Sequence, residues 1–518
     1  MPDLTVSIPS PGLTARTAAR TRRVRVPLLL GLTATSFSLL GSWNASLWTD
    51  EAVTVSAASR SWASLGQLLG SVDAVHGAYY AVMHLWGGLF GLSPLMLRLP
   101  SALAVGAAAA GMYFLGRRLT GPRAGVAAAV VFALLPRVTW MGMEGRSFAF
   151  STAAVVALGC LLTAAVVRGG RRYFAAYAVV AGTGAVLNIY VLLAVAALGL
   201  SLFLLPAARH ARLPALAASI GGGLLASPVL LAAAGQRGQL GTPDLSLPTL
   251  ARSMLVDQWF LGETPTNPAL PNDGGGLWQP AAVLLAAAAW VLLFTALRGA
   301  RRTLFVATLP LLVLPTAVLV AYSLTLAPIY NPRYLSLSVP ALALLLGAAL
   351  ARLRSLPVRT VACLLLGLLV LPVYASQRTP EAKNDSDFSR VAEYVQEHAD
   401  PGDAVYFGPR RPPEGEQAEQ TQRRIRTAYP QAFEELRDLS LLSSGEADGT
   451  LDGRSLLLQD TGERLAETGK LLAVRRVDYP ADLLEQEDRW LASHGYVELE
   501  SWTGTTNRVT VFIRTGSR

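Results

Sequence analysis

Apolar residues run in long blocks through the first three quarters of the chain, separated by short polar links. Eleven blocks, near 25–43, 98–115, 124–140, 147–167, 173–187, 189–205, 213–234, 278–297, 303–323, 333–350 and 357–375, are candidate helical spans. Each is long enough, or nearly so, to cross a hydrocarbon core about 30 Å thick. A further run, 77–92, is shorter and holds His84, Trp86 and Gly87-Gly88. Counting it as a span puts the Arg117-Arg118 and Arg168–Arg172 clusters on the wrong face, so it reads as an interfacial or re-entrant helix. Beyond residue 375 the pattern changes. Helical apolar spacing over 387–395 leads through the turn Pro401-Gly402-Asp403 into a strand at 404–407. Further strands are expected at 455–458, 471–477 and 509–513, a helix at 481–494, and a mobile loop at the Pro-, Glu-, Gln- and Arg-rich 409–424. The expected fold is a polytopic α-helical membrane protein of about eleven spans. It comprises a tail (1–24), a transmembrane domain (25–375) and an extracytoplasmic soluble α/β domain (376–518).

Composition and charge support that division. The 518 residues are 52% hydrophobic and 15% charged, too apolar for one soluble domain. Residues 1–375 carry 26 arginines and nine acids, whereas 376–518 carry 18 Lys/Arg and 26 acids. The net +9 does not point to nucleic acid, because the basic residues sit in short links between apolar blocks, where they orient spans. With eleven spans, 19 of the first 26 arginines fall on the N-terminal tail's side and seven on the other. The positive-inside rule then makes the tail cytoplasmic and the loops 44–97, 141–146, 235–277 and 324–332 external, together with the C-terminal domain. The first block follows a basic stretch as a signal peptide would, but it is long for one and lacks a small-residue cleavage site, so it reads as a retained span. Cys160 and Cys363 lie inside apolar blocks and offer no disulfide framework. Lys383 and Lys470 are the only lysines, a scarcity read as coding bias.

The acids of the membrane part are few: Asp3, Asp50, Glu51, Asp73, Glu144, Asp244, Asp257, Glu263 and Asp273. All but Asp3 fall in the external loops. A carboxylate at a bilayer surface is costly without a cationic partner or a task. Asp50-Glu51 is a candidate functional pair, with helix capping and first-turn charge as the plain alternative. Asp73 and His76 precede the interfacial helix in what could equally be an ordinary polar loop, and His84 reads as packed. Glu144 and Arg146 are either a capping ion pair or part of the same site. Arg333 opens a span from the external side, against the charge bias, and either snorkels or grips an anion such as a lipid phosphate. Residues 376–518 show no glycine-rich phosphate loop, metal-ligand spacing or nucleophile elbow, which suits a lid or acceptor-contacting role.

Five segments then fall in a telling order: Trp48-Thr49-Asp50-Glu51-Ala52; Asp73 with His76 and Tyr80; Leu97-Arg98-Leu99-Pro100-Ser101; Glu144-Gly145-Arg146-Ser147-Phe148; and Pro332-Arg333-Tyr334. Together they resemble the landmarks of integral-membrane glycosyltransferases of the GT-C class. The likeness is to the family 39 branch, with its protein O-mannosyltransferases and aminoarabinose transferases. The resemblance implies a polyprenyl-phosphate sugar donor, mannose among the candidate sugars, and inverting transfer to an extracytoplasmic protein, glycan or lipid acceptor. It makes Asp50 the catalytic base and Glu51, Asp73, His76, Glu144, Arg146, Arg333 and Tyr334 substrate-binding. Asp50 and His76 are candidate ligands should a divalent metal such as Mg or Mn be used. Where many relatives have two prolines after the histidine, this chain has Gly77-Ala78. A lipid-sugar flippase and a non-catalytic envelope-assembly scaffold are the alternatives. The first expects charges at mid-span, and the second does not need an intact Asp50-Glu51.

Overall fold

The computed structural model describes residues 13–236, 246–262, 276–300, 302–408 and 422–515, with side chains from residue 24. Asp3, Asp244, Glu263, Asp273, Arg237, Arg301, most of the loop 235–277 and most of 409–424 lie outside the described residues, as do the side chains of Arg16, Arg20, Arg22 and Arg23. The chain opens with α1 (Leu13–Leu39). Three short helices then fill the first loop: α2 (Thr49–Ser59), α3 (Trp62–Ser71) and α4 (Gly77–Phe90). The bundle continues through α5 (Pro94–Leu119), α6 (Pro122–Leu134), α7 (Pro136–Met141), α8 (Phe148–Arg168), α9 (Arg171–Leu187), α10 (Val191–Leu204) and α11 (Arg212–Gly235). Helices Trp278–Ala296, Arg302–Thr325, Val339–Arg352 and Leu356–Ser376 complete it.

Every apolar block is largely helical, and seven of the described helices are long and apolar enough to cross a membrane. Those around Val24–Leu39, Pro122–Leu134 and Val191–Leu204 are shorter. The block 124–140 is not one helix. Pro136 has no N–H to continue the ladder and restricts the residue before it, so α6 stops and α7 restarts. The tight link between α9 and α10 is made by Asn188, whose side chain accepts a hydrogen bond from the Tyr190 N–H at 3.1 Å. Burial distinguishes inner from outer helices. The helix ending at Arg352 is 89% buried and forms the centre, whereas Leu356–Ser376 is 11% buried and turns Leu364, Leu365 and Leu368 outward. Such an apolar rim suits hydrocarbon. Where α1 crosses α5 the backbones nearly touch: a Cβ on Gly106 would lie 2.7 Å from the Gly31 carbonyl oxygen, so only small residues fit.

Among the described residues the C-terminal domain has seven strands: β1 (Ala404–Phe407), β2 (Arg437–Asp438), β3 (Leu441–Ser443), β4 (Arg454–Ser455), β5 (Lys470–Arg476), β6 (Tyr496–Thr503) and β7 (Asn507–Arg514). Five form a mixed sheet in the order β2-β1-β5-β7-β6. Strand β1 runs parallel to β2 and β5, and β7 is antiparallel to β5 and β6. The strand expected at 455–458 is reduced to Arg454–Ser455, followed by a 3₁₀ turn at Leu458–Thr461. One face of the sheet (Val405, Phe407, Leu472, Val474, Val509, Val511) shares a single apolar core with Phe388, Val391 and Val395. That core extends to Ala52, Val55, Leu65, Leu68, Tyr79 and Leu97 of the first loop and α5. Arg60 Nη1 donates to the Gly445 carbonyl at 2.9 Å, and Ser71 Oγ to the Gly449 carbonyl at 2.8 Å. The domain is therefore built onto the first loop and lies on the same side of the bundle.

Candidate functional site

The site begins with α2, whose first turn carries Asp50 and Glu51 where the helix dipole favours negative charge. Trp48 precedes this helix with no side-chain cap, so neither acid serves as its N-cap. Successive helical residues point in different directions, and here the two acids part company. Glu51 turns inward and is fully buried. Arg98 meets it with a two-pronged contact, Nε to Oε1 at 3.0 Å and Nη2 to Oε2 at 2.6 Å, while Lys383 Nζ reaches Oε1 at 2.9 Å. Lys383 also donates to Glu144 Oε2 at 2.6 Å and to the Met143 carbonyl at 2.6 Å. Trp48 Nε1 closes the group with a 2.7 Å bond to Glu144 Oε1. Two carboxylates and two cations thus neutralise one another out of water, with each carboxylate accepting several hydrogen bonds, as buried charge requires. Burial pushes the Glu51 pKa upward, but Arg98 and Lys383 overcome it and hold the group at about 2. Burial wins for Glu144, which, with Glu51 adding to it against Lys383, is pushed up to about 7.

The cluster locks the segment Glu144-Gly145-Arg146 against α2 and α5. Gly145 N–H donates to Glu51 Oε1 at 2.8 Å, Thr54 Oγ1 donates to the Gly145 carbonyl at 2.9 Å, and Ser101 Oγ to the Glu144 carbonyl at 2.6 Å. A Cβ at Gly145 would press on Leu97 at 2.9 Å, so the approach needs glycine. The result is that Arg146 faces the other way, toward Asp50.

Asp50 is partly exposed, its side chain 25% accessible, and it lies between two guanidiniums: Arg333 Nη1 at 3.4 Å and Arg146 Nε at 3.9 Å from Oδ2. Arg333 stacks over the rings of Trp48 (5.2 Å) and Tyr334 (5.6 Å), and Tyr334 stacks on Tyr190 at 5.0 Å. Arg146 Nη1 donates to Tyr80 Oη at 2.9 Å, and Tyr80 donates in turn to Asp73 Oδ2 at 2.7 Å. Asp73 holds a left-handed backbone at φ 57°, which aspartate tolerates better than most residues, and the turn it makes starts the approach to α4. Burial works against the Arg146 charge, but Tyr80, Asp50 and Asp73 outweigh it and raise its pKa further. His76 is half-buried beside Tyr80, with ring centroids 6.0 Å apart. Burial and the Arg146 charge push the imidazole down to about 3, so it is neutral.

Among the expected residues, Asp50, Asp73, His76, Arg146, Arg333 and Tyr334 come together around one partly open face, and Glu51 and Glu144 lie beneath it with no exposure. Asp257 is elsewhere, paired with Arg252 at 3.4 Å. Lys383 and Trp48 went unread as site residues. Lys383 meets Glu51 from 332 residues away, a separation that leaves no local pattern. Its one signal was the scarcity of lysine. The donor set does not suit a divalent metal: among the described residues no three His, Cys, Asp or Glu converge, and two guanidiniums flank Asp50.

No protein-family model matches the sequence, and no curated protein matches it. Solved structures do. ArnT from Cupriavidus metallidurans in the apo state superposes with a TM-score of 0.55 at 13% identity, covering 96% of this chain and 98% of that one. The same protein bound to undecaprenyl phosphate gives 0.53 at 14% identity, over 97% and 99% of the two chains. The archaeal oligosaccharyltransferase AglB from Archaeoglobus fulgidus, in complex with an inhibitory peptide and a dolichol-phosphate, gives 0.47 at 11% identity over 95% and 74%. The chain is thus a multi-pass helical membrane protein with the fold of the GT-C class and a small C-terminal sheet domain.

Proposed function

We propose that this protein is an integral-membrane glycosyltransferase that moves a sugar, a hexose such as mannose or a pentose, from a polyprenyl-phosphate carrier to an extracytoplasmic hydroxyl acceptor. The observation that carries the reading is the placement of Asp50 alone among the first-loop acid pair on the open face, between Arg333 and Arg146. A general base beside a pair of phosphate-binding cations is what displacement of a lipid phosphate needs. The undecaprenyl phosphate bound by ArnT, a protein of the same fold, supports a carrier of that class. In the arginine arrangement of the sequence, residues 1–24 face the cytoplasm, 25–375 span the bilayer, and the site and residues 376–518 face outward.

In the proposed step the acceptor oxygen attacks the anomeric carbon in line. Its proton passes to Asp50 as the new C–O bond forms, and the bond from the anomeric carbon to the phosphate oxygen breaks. The leaving polyprenyl phosphate takes that electron pair, and Arg333 and Arg146 offset its growing charge. Asp73 and Tyr80 hold Arg146 in place, and Tyr334 flanks Arg333. Glu51 and Glu144, expected to touch substrate, are given a positioning role instead because both are sealed by Arg98, Lys383 and Trp48. His76, being neutral, is suited to hydrogen bonding with a sugar hydroxyl.

The test is Asp50→Asn in the purified protein with a synthetic short-chain polyprenyl-phosphate sugar. Release of polyprenyl phosphate should fall by roughly 10²–10⁴-fold, the usual worth of a general base, with donor binding retained. A variant within a few-fold of wild type removes Asp50 as base.

A further inference from the structure

A cleft of about 300 Å³, lined by polar and apolar groups alike, opens beside the site on its C-terminal-domain side. Trp48 and Thr49, the two residues before Asp50, form one wall, and the opposite wall is made by Asn384, Arg424, Thr506 and Asn507. The cleft therefore lies between the domain and the residues that lead directly into the candidate base. Its polar groups are amides and hydroxyls able both to donate and to accept. Its two guanidiniums are already paired, Arg424 Nη2 lying 2.6 Å from Asp452 Oδ2 and Arg476 Nε 2.6 Å from Asp478 Oδ1, and the Lys383 ammonium is committed to Glu51 and Glu144, so the cleft does not select a strongly anionic ligand. Asn507 is 1% exposed, and while its Nδ2 donates to Asp387 Oδ1 at 2.6 Å, its Oδ1 is buried with no hydrogen-bond partner. An unsatisfied buried acceptor in the wall favours a ligand that can donate a hydrogen bond to it. Trp48 adds an aromatic surface, and its indole N–H is already committed to Glu144.

Amide and hydroxyl groups around a compact space, with the aromatic side chains of Trp48 and Phe388 and with each lining cation already paired, are the chemistry that recognises a sugar ring and its hydroxyls. A lipid tail needs a continuously apolar surface, which this mixed lining does not offer. We propose that this cleft is the acceptor subsite and that the acceptor is a carbohydrate chain, which enters from the C-terminal-domain side and presents a hydroxyl past Thr49 to Asp50. The proposal rests on the transferase reading for its chemistry but not for its binding. The transfer it serves is the balanced step above, with the glycan oxygen gaining the glycosyl bond and losing its proton to Asp50.

The test separates the two. Full-length protein in nanodiscs is exposed to a panel of neutral gluco-, manno-, galacto- and arabino-oligosaccharides and to a serine- and threonine-rich peptide, with binding read by saturation-transfer NMR. Thr49→Phe fills the cleft, and Asn384→Gly strips a side chain from a residue at φ 51°, a backbone that glycine keeps without strain. At least one oligosaccharide should bind, at least tenfold more weakly in both variants and unchanged in Asp50→Asn, while both variants keep the wild-type melting temperature. The acceptor assignment is overturned if no oligosaccharide binds, if the peptide alone binds, or if binding ignores both variants. If binding behaves as expected but Asp50→Asn leaves donor cleavage intact, the cleft stands and the catalytic reading falls.

Discussion

Arg333 has two possible tasks that a single substitution separates. A residue that only reaches for the interface is replaced well by lysine, whereas a fork that grips phosphate is not, since lysine keeps the charge and loses the planar two-pronged geometry. Its guanidinium carbon lies over the Trp48 and Tyr334 rings at 5.2 and 5.6 Å, aromatic contacts that suit a guanidinium better than an ammonium and so favour the fork. Arg333→Lys should raise the apparent donor KM or lower turnover. Arg333→Ala should cost on the order of 10–100-fold, the worth of a charged hydrogen bond of about 1.5–3 kcal/mol. Equal donor dependence in lysine and wild-type enzymes returns Arg333 to an anchoring role. His76 makes a prediction of a different kind. Its pKa falls from 6.5 to about 3 on folding, so between those values the unfolded chain binds a proton that the folded chain refuses. The sign follows: nothing is lost above pH 6.5, and stability declines as pH falls from 6.5 toward 3. His76→Gln lacks that penalty. Relative to wild type its melting temperature should therefore be higher at pH 4.5 than at pH 7.5, and an unchanging difference would show an imidazole that titrates normally.

At the scale of elements, the link from the last membrane helix to the sheet is what Lys383 fixes. Its ammonium ties the first loop (Glu51) to the second (Glu144) and draws both toward the C-terminal domain. Lys383→Met removes one cation from a sealed group of four charges. Breaking a buried pair in this way costs roughly 3–5 kcal/mol. A marked drop in apparent melting temperature is expected, with partial recovery in the double variant Lys383→Met/Glu144→Gln, which removes the orphaned carboxylate as well. No recovery would mean that the ammonium's bond to the Met143 carbonyl matters more than its charge. This latch also marks the boundary of what the sequence could reveal. The acids of the first and second loops were legible because membrane surfaces leave few carboxylates to choose from, and the arginines because they broke the charge bias. That Glu51 points in and Asp50 out was not legible, since it depends on which face of a helix barely three turns long meets Arg98. Lys383 was invisible because its partners are contributed by distant loops. Strand β6 was missed although Val497-Glu498-Leu499-Glu500 alternates apolar and polar residues, because the run is short and follows directly on the helix before it.

The molecule as a whole joins a bundle to a domain through one shared core, and that contact ties two topological questions together. Apolar periodicity was enough to read the bundle, because lipid exposure makes the outer helices continuously apolar, and only Pro136 broke a block that looked uniform. Which face is outside comes from the arginine distribution alone. Since the sheet packs against α2, α3 and α4, the C-terminal domain and Asp50 must share a compartment, and locating one locates the other. In a background where Cys160 and Cys363 are alanine, Glu498→Cys places a thiol on the exposed edge strand β6, and Ala300→Cys places one beside Arg298 and Arg302. A membrane-impermeant maleimide added to intact cells should label the first at once and the second only after permeabilisation. The reverse pattern would put Asp50 in the cytoplasm, where the positive-inside rule would have failed over 26 arginines. It would also require the sugar carrier and acceptor to meet on the inner leaflet. Labelling of both in intact cells would mean that the two positions share a face, changing the parity of spans between them. One of the three helices between them, Arg302–Thr325, the helix ending at Arg352 or Leu356–Ser376, would then have to lie along the surface instead of crossing.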